Sequence, residues 1–137
     1  MSGPPVQDRV ILDLCGGTGS WSVPYAAAGY RVIIVDLTDL PTPPGAERLV
    51  KDVRDYSPPP DVHGILAAPP CTEFAVSGAR WWKSKPPAKL KEALEVVEAV
   101  NRIIHRHRCW WALENPVGRL RNYLGPPRYT FQPWEYG

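Results

Sequence analysis

The sequence predicts an α/β fold: a mainly parallel sheet of about five strands with flanking helices. Three observations carry that reading. Apolar, β-branched runs alternate with segments of helical period, as βαβ units require. Each run ends abruptly in glycine, proline or an acid. The residues with distinctive chemistry fall at those ends, where parallel sheets bind their ligands.

The first strand is the apolar run 10–14, which breaks into Cys15-Gly16-Gly17-Thr18-Gly19-Ser20. A helix over 21–28 follows, with three alanines as strong formers, Pro24 tolerated in the first turn and Gly29 as the stop. Residues 31–35, Arg-Val-Ile-Ile-Val, are continuous and β-branched, as expected of a strand covered on both faces. Three prolines and a glycine make 38–45 a loop, after which 47–53 reads as a third strand. The run 62–67 is a fourth, stopped by Pro69-Pro70-Cys71. The clearest helical period lies over 86–107, with Leu90, Ala93, Leu94, Val97, Val100 and Ile104 on one face. Trp110-Trp111-Ala112-Leu113 is the fifth strand, closing on Glu114-Asn115-Pro116, and a short helix over 117–124 is expected behind it.

The 137 residues suit one domain, 1–137, with no room for a second core. A hydrophobic share of 44% against 22% charged residues excludes a disordered chain, and no apolar run approaches the roughly 20 residues that span a bilayer. Three cysteines make no even-numbered disulfide framework, and the N-terminus lacks the apolar core of a signal peptide. A reducing, cytoplasmic setting is expected. A net charge of +2 is too small to mark a nucleic-acid binder through the whole-domain field, so any such role must come from local sites.

Asp13-x-x-Gly16-Gly17-x-Gly19 after a strand lets backbone approach a ligand closely, and Asp36, about 20 residues on, can accept from two ribose hydroxyls. Glycines alone could serve only a tight turn; paired with Asp36 they point to a nucleoside cofactor. No Gly-Lys-Ser/Thr follows and the full G-x-G-x-x-G is not present, so a phosphate-free cofactor fits best. S-adenosylmethionine is the candidate, with Asp13 near its amino-acid moiety and Asp52 available to the adenine amino group.

Cys71 follows two prolines that restrict its loop, and a neighbouring cation such as Arg80 would favour its thiolate. Inert burial is the commoner fate of cysteines and is expected of Cys15 and Cys109. Glu114, at the end of an apolar strand, would have its pKa raised by burial and could donate to a base edge; a helix-capping loop acid is the plainer alternative. Residues 105–109, His-Arg-His-Arg-Cys, lack standard zinc spacing and read as a solvated basic helix end, so no metal is expected. Trp81 and Trp82 beside Arg80, Lys83 and Lys85 could stack on and neutralise DNA, or one indole could be core.

Taken together, these motifs resemble the DNA cytosine-5 methyltransferases, especially the compact phage and bacterial type, over most of the chain. Residues 11–19 look like that family's cofactor motif, Asp36 like its ribose-binding acid, Asp52-Val53 like its adenine contact. Pro69-Pro70-Cys71-Thr72-Glu73-Phe74 resembles its catalytic loop and Glu114-Asn115-Pro116 its Glu-Asn-Val motif. The resemblance implies a Rossmann-like fold binding S-adenosylmethionine through Asp13, Leu14, Cys15, Gly16, Gly17, Gly19, Trp21, Asp36, Leu37, Asp52, Val53 and Pro69, with S-adenosylhomocysteine as product. It makes Cys71, Glu114, Pro70 and Asn115 catalytic and DNA the substrate. Cys71 would attack C6 of a flipped cytosine while Glu114 contacts N3 and the exocyclic amine. Cys15 stands where the family has Phe, Ala75 where it has Ser, and Pro116 where it has Val. The chain stops before the family's arginine-bearing motif, target-recognition region and C-terminal helix. A truncated core, a complementing chain or a second copy is therefore expected, and a non-catalytic cofactor- or DNA-binding module is the alternative.

Overall fold

The structure, a computed structural model, describes residues 5–69 and 87–114. Five strands form one all-parallel sheet: β1 Val10–Leu14, β2 Arg31–Asp36, β3 Ala46–Val50, β4 Val62–Ala67 and β5 Trp110–Leu113, in the order β3-β2-β1-β4-β5. Two helices accompany them, α1 Val23–Ala27 and α2 Pro87–Arg106. Short 3-10 turns cover Val6–Asp8 and Val53–Asp55. Among the described residues no helix is long and apolar enough to cross a membrane. The expected helix over 117–124 lies outside the described residues.

Burial follows position in the sheet. Every residue of the central strand β1 is buried, and so are Val32 to Val35 of β2, because both faces of these strands are covered. The edge strand β3 leaves Glu47, Leu49 and Val50 exposed. On one face Leu12, Leu14, Val35, Ile65 and Ala67 pack against Ala99, Val100, Ile103 and Ile104 of α2. On the other, Ile11, Val32, Ile34 and Leu66 meet Tyr25 and Ala26 of α1.

Two elements depart from the sequence reading. The helix expected over 21–28 is reduced to Val23–Ala27, since Ser22 spends its hydroxyl on Asp13 at 2.6 Å and caps nothing. Gly29, at φ +97°, does end it. The third strand stops at Val50 rather than 53, because the Asp52 carboxylate caps the next turn through the Arg54 backbone N–H at 2.9 Å. β5 is an edge strand, with Trp110 and Trp111 40% and 52% exposed. The Trp110 indole lies over Gly64, where a Cβ would collide with it, and stacks on Tyr25 at 5.6 Å. Aromatic rings thus cover ground that the short α1 cannot reach.

Register makes the carboxyl ends level. Leu14 pairs with Val35 and with Ala67, Asp36 with Val50, and Ala67 with Leu113. β1 connects outward to β2 on one side and has β4 on the other, so the order reverses between β1 and β4. At such a reversal the connecting chains diverge and leave a crevice beyond the strand ends.

Candidate functional site at the carboxyl ends of β1, β2 and β4

The floor of the crevice is Asp13. It is 1% exposed, on the α1 side of β1, and its Oδ2 accepts the Ser22 hydroxyl at 2.6 Å. Its Oδ1 has no hydrogen-bond partner. Burial pushes the carboxyl above its ordinary pKa, against the opposing pull of Ser22. Gly16 passes directly over it: a Cβ there would stand 2.5 Å from the Asp13 Cγ and 2.6 Å from Oδ1. Only glycine fits.

The loop above is a run of left-handed residues, Cys15 at φ 58°, Gly17 at 56° and Gly19 at 83°. It is pinned at both ends. The Cys15 N–H donates to Val35 O at 2.7 Å, and the Gly19 N–H to Gly16 O at 2.9 Å. In between, the Gly17 N–H donates to Asp36 Oδ2 at 2.9 Å, while the Thr38 N–H donates to Oδ1 at 2.8 Å. Asp36 thus sews the loop to β2. A carboxylate offers about four lone-pair directions, so two remain for a ligand. Beyond Gly17 no atom lies within 4 Å of where a Cβ would be, and the neighbouring Leu37 is 67% exposed. An open, acid-edged cradle with an apolar wall results, and Trp21, also partly exposed, lies on the same loop.

Other expected site residues are placed differently. Leu14 and Val53 are buried in the core under α2, so their side chains contribute packing and only their backbone can face a ligand. The Asp52 carboxylate is not free as expected: Arg54 holds it through its backbone N–H, Nε and Nη2, which keeps it below the usual carboxylate range. Glu114 is exposed rather than buried, although its N–H, donating to Ala67 O at 2.8 Å, fixes it at the end of β4.

The Cys15 thiol is half-buried and pushed up to about 12, first by desolvation and then by Asp36, Asp52 and Asp13. It stays protonated at neutral pH and is no nucleophile. Cys109 is likewise raised by burial. Pro69 is buried, and the Ala68 N–H donates to Leu14 O at 3.0 Å, so the chain leaving β4 runs beside the end of β1. Pro70, Cys71, Arg80, Trp81, Trp82, Lys83, Lys85 and Asn115 lie outside the described residues. Among the described residues no three His, Cys, Asp or Glu side chains are grouped to hold a metal ion.

Ser22, Thr38 and Arg54 belong to the site and were not singled out from the sequence. For Arg54 a signal exists, since an Asp two residues before a basic side chain at a strand end can form a local turn and ion pair together. Comparison with family models, with curated proteins and with solved structures gave no match for this chain.

Proposed function

We propose that the chain is the core of a DNA cytosine-5 methyltransferase that uses S-adenosylmethionine and acts in the cytoplasm. The observation that carries this reading is the Gly17–Asp36 tie at the strand-order reversal, with open space beyond Gly17. The strand order supports it, being that of doubly wound nucleotide-binding sheets. The residues fit a phosphate-free, cationic nucleoside. Asp36, Asp52 and Asp13 all act on Cys15 with the sign of negative charge, and such a field repels phosphates and attracts a sulfonium.

Asp36 would take the ribose hydroxyls on its two remaining lone-pair directions, and Leu37 would wall the base. Bound S-adenosylmethionine supplies the electrophilic methyl group. Pro69 is buried at the end of β4, and Cys71 follows two residues later in the sequence. Cys71 would add through sulfur to C6 of a flipped cytosine, sending an electron pair to C5, which takes the methyl group. Loss of the C5 proton then expels the thiolate. Glu114, exposed beside the end of β4, would meet the base edge.

DNA carrying 5-fluorocytosine tests this, since fluorine cannot leave C5 as a proton does and the adduct persists. A covalent, cofactor-dependent complex is expected with wild type, Cys15→Ala and Cys109→Ala, and none with Cys71→Ala. Adduct at the normal yield in Cys71→Ala would sink the assignment. Tight cofactor binding with no adduct from any form would leave a binding module.

A further inference from the structure

Asp13 is closed off from water, and its surroundings accept it with or without a proton. The Ser22 hydroxyl, 2.6 Å from Asp13 Oδ2, is also 3.1 Å from Gly19 O. One hydroxyl proton cannot serve both. When Asp13 is ionised the hydroxyl donates to it, and Gly19 O keeps the Ser22 N–H at 3.0 Å. When Oδ2 carries a proton it can donate to Ser22 Oγ, which then turns its own proton to Gly19 O. No heavy atom need move between the two. Oδ1 has no partner, so ionisation buries negative charge without a donor, whereas the neutral acid leaves only a carbonyl-like oxygen there. Desolvation is the largest influence and favours the neutral acid; Ser22 opposes it, Asp36 at the end of β2 adds to it, and Arg48 of β3 opposes it again. α1 brings no charged side chain, and the β4 residue paired with Asp13 is Leu66.

We propose that Asp13 trades its proton for the charge of the ligand: over a window of pH the ligand-free chain holds the proton, and a cationic nucleoside bound at Asp36 drives it into solvent. This rests on the cofactor reading above and deepens it. The ligand need not touch Asp13. Asp36 already acts on Asp13 through space, and a positive charge drawn to Asp36 acts with the opposite sign. Coupling is reciprocal, so what the ligand does to the proton the proton does to the ligand. Affinity is therefore lowest where Asp13 stays protonated in both states. It climbs by up to about tenfold per pH unit while one proton is released, and levels off once the ligand-free carboxyl is ionised. S-adenosylmethionine, with a sulfonium and an ammonium against one carboxylate, should drive the exchange. S-adenosylhomocysteine carries no net charge and should drive it weakly.

The test is calorimetric titration of the full chain with each compound, in paired buffers of different ionisation enthalpy, at pH values on both sides of the Asp13 titration, which lies above the ordinary 3.8. Wild type should release up to one proton on binding S-adenosylmethionine, markedly less on binding S-adenosylhomocysteine, and none well above the titration. Asp13→Asn keeps the side-chain shape and a donor for Ser22 Oγ, so it should bind without that release and with an affinity that varies less over the same window. In wild type the Asp13 carboxyl carbon, followed by NMR, should titrate at lower pH in the complex than in the ligand-free chain. Binding of S-adenosylmethionine with no proton released, or release undiminished in Asp13→Asn, overturns the proton exchange and leaves the cofactor reading standing. If Asp13→Asn fails to fold, the carboxyl carbon of wild type decides, and a titration unmoved by ligand overturns the exchange. Failure of wild type to bind either compound overturns the cofactor reading, and this inference with it.

Discussion

Alanine at Gly16 and alanine at Gly17 should fail in opposite ways, although the two glycines are neighbours. At Gly16 the new methyl would stand 2.5 Å from the Asp13 Cγ, 0.9 Å inside the 3.4 Å at which ordinary contact begins. Asp13 has nowhere to retreat, being 1% exposed and tied to Ser22 at 2.6 Å. Overpacking of this kind costs about 1–3 kcal/mol, and a rigid, hydrogen-bonded neighbour places Gly16→Ala in the upper half of that range. At Gly17 the methyl meets nothing within 4 Å, so the cost is the left-handed backbone at φ +56°, about 1–2 kcal/mol. Domains of this size have about 5–15 kcal/mol to lose, so both variants should fold. Urea denaturation followed by tryptophan fluorescence should rank them wild type, Gly17→Ala, Gly16→Ala. Calorimetric titration with S-adenosylmethionine should find Gly17→Ala the more impaired relative to its stability, by about tenfold in affinity, or roughly 1.4 kcal/mol. A Gly16→Ala protein as stable as wild type would mean that the loop does not rest on Asp13. Undiminished binding by Gly17→Ala would mean that the open space beyond it is not the ligand's.

Asp13→Asn should stabilise the chain increasingly as pH rises. The folded carboxyl sits above its ordinary 3.8, so its stabilising protonated form is fully present below 3.8 and lost as pH climbs through the folded pKa; parallel urea-stability curves for the two proteins would contradict this. Asp36→Ala removes the acceptor of the Gly17 and Thr38 N–H groups and the proposed ribose contact, and should weaken S-adenosylmethionine binding by about 1.5–3 kcal/mol. Unchanged affinity in a calorimetric titration would end the ribose assignment. Binding of a DNA duplex should weaken with added salt and with Trp81→Ala or Lys83→Ala, as expected of stacking and phosphate contacts. Insensitivity to all three in a fluorescence-anisotropy titration would remove that segment from the DNA surface.

The parts of the fold that could be read from the sequence are those governed by continuous burial. β1, β2 and β4 are apolar along their length because both faces are covered, and their limits were legible to within a residue. The period over Leu90 to Ile104 gave α2 for the same reason. What escaped depended on single side chains choosing between partners. Ser22 could have capped α1 and instead bonds Asp13, shortening the helix. Asp52 could have extended β3 and instead caps a turn with Arg54. Glu114 was read as buried from the apolar residues before it, but β5 lies at the sheet edge, where nothing obliges the end of a strand to be covered. Sequence spacing alone cannot tell an edge strand from an inner one, and the paired tryptophans of β5 pointed the wrong way.

The arrangement of carboxylates also bears on where a nucleophile can stand. A site that attracts a cationic nucleoside by gathering Asp13, Asp36 and Asp52 around the end of β1 must, by the same field, oppose ionisation of any thiol placed among them. Cys15, pushed up to about 12, is that thiol. A reactive sulfur needs the opposite surroundings, close to cations or a helix N-terminus. Under the proposed function the two demands would be met by dividing the crevice: acids at the ends of β1 and β2 and just after β3, and the nucleophile following β4 in the sequence. The strand order makes this division available, because β2 and β3 lie on one side of β1 and β4 on the other. Cys15, the thiol left in place in Cys71→Ala, should therefore form no adduct even if a cytosine could reach it.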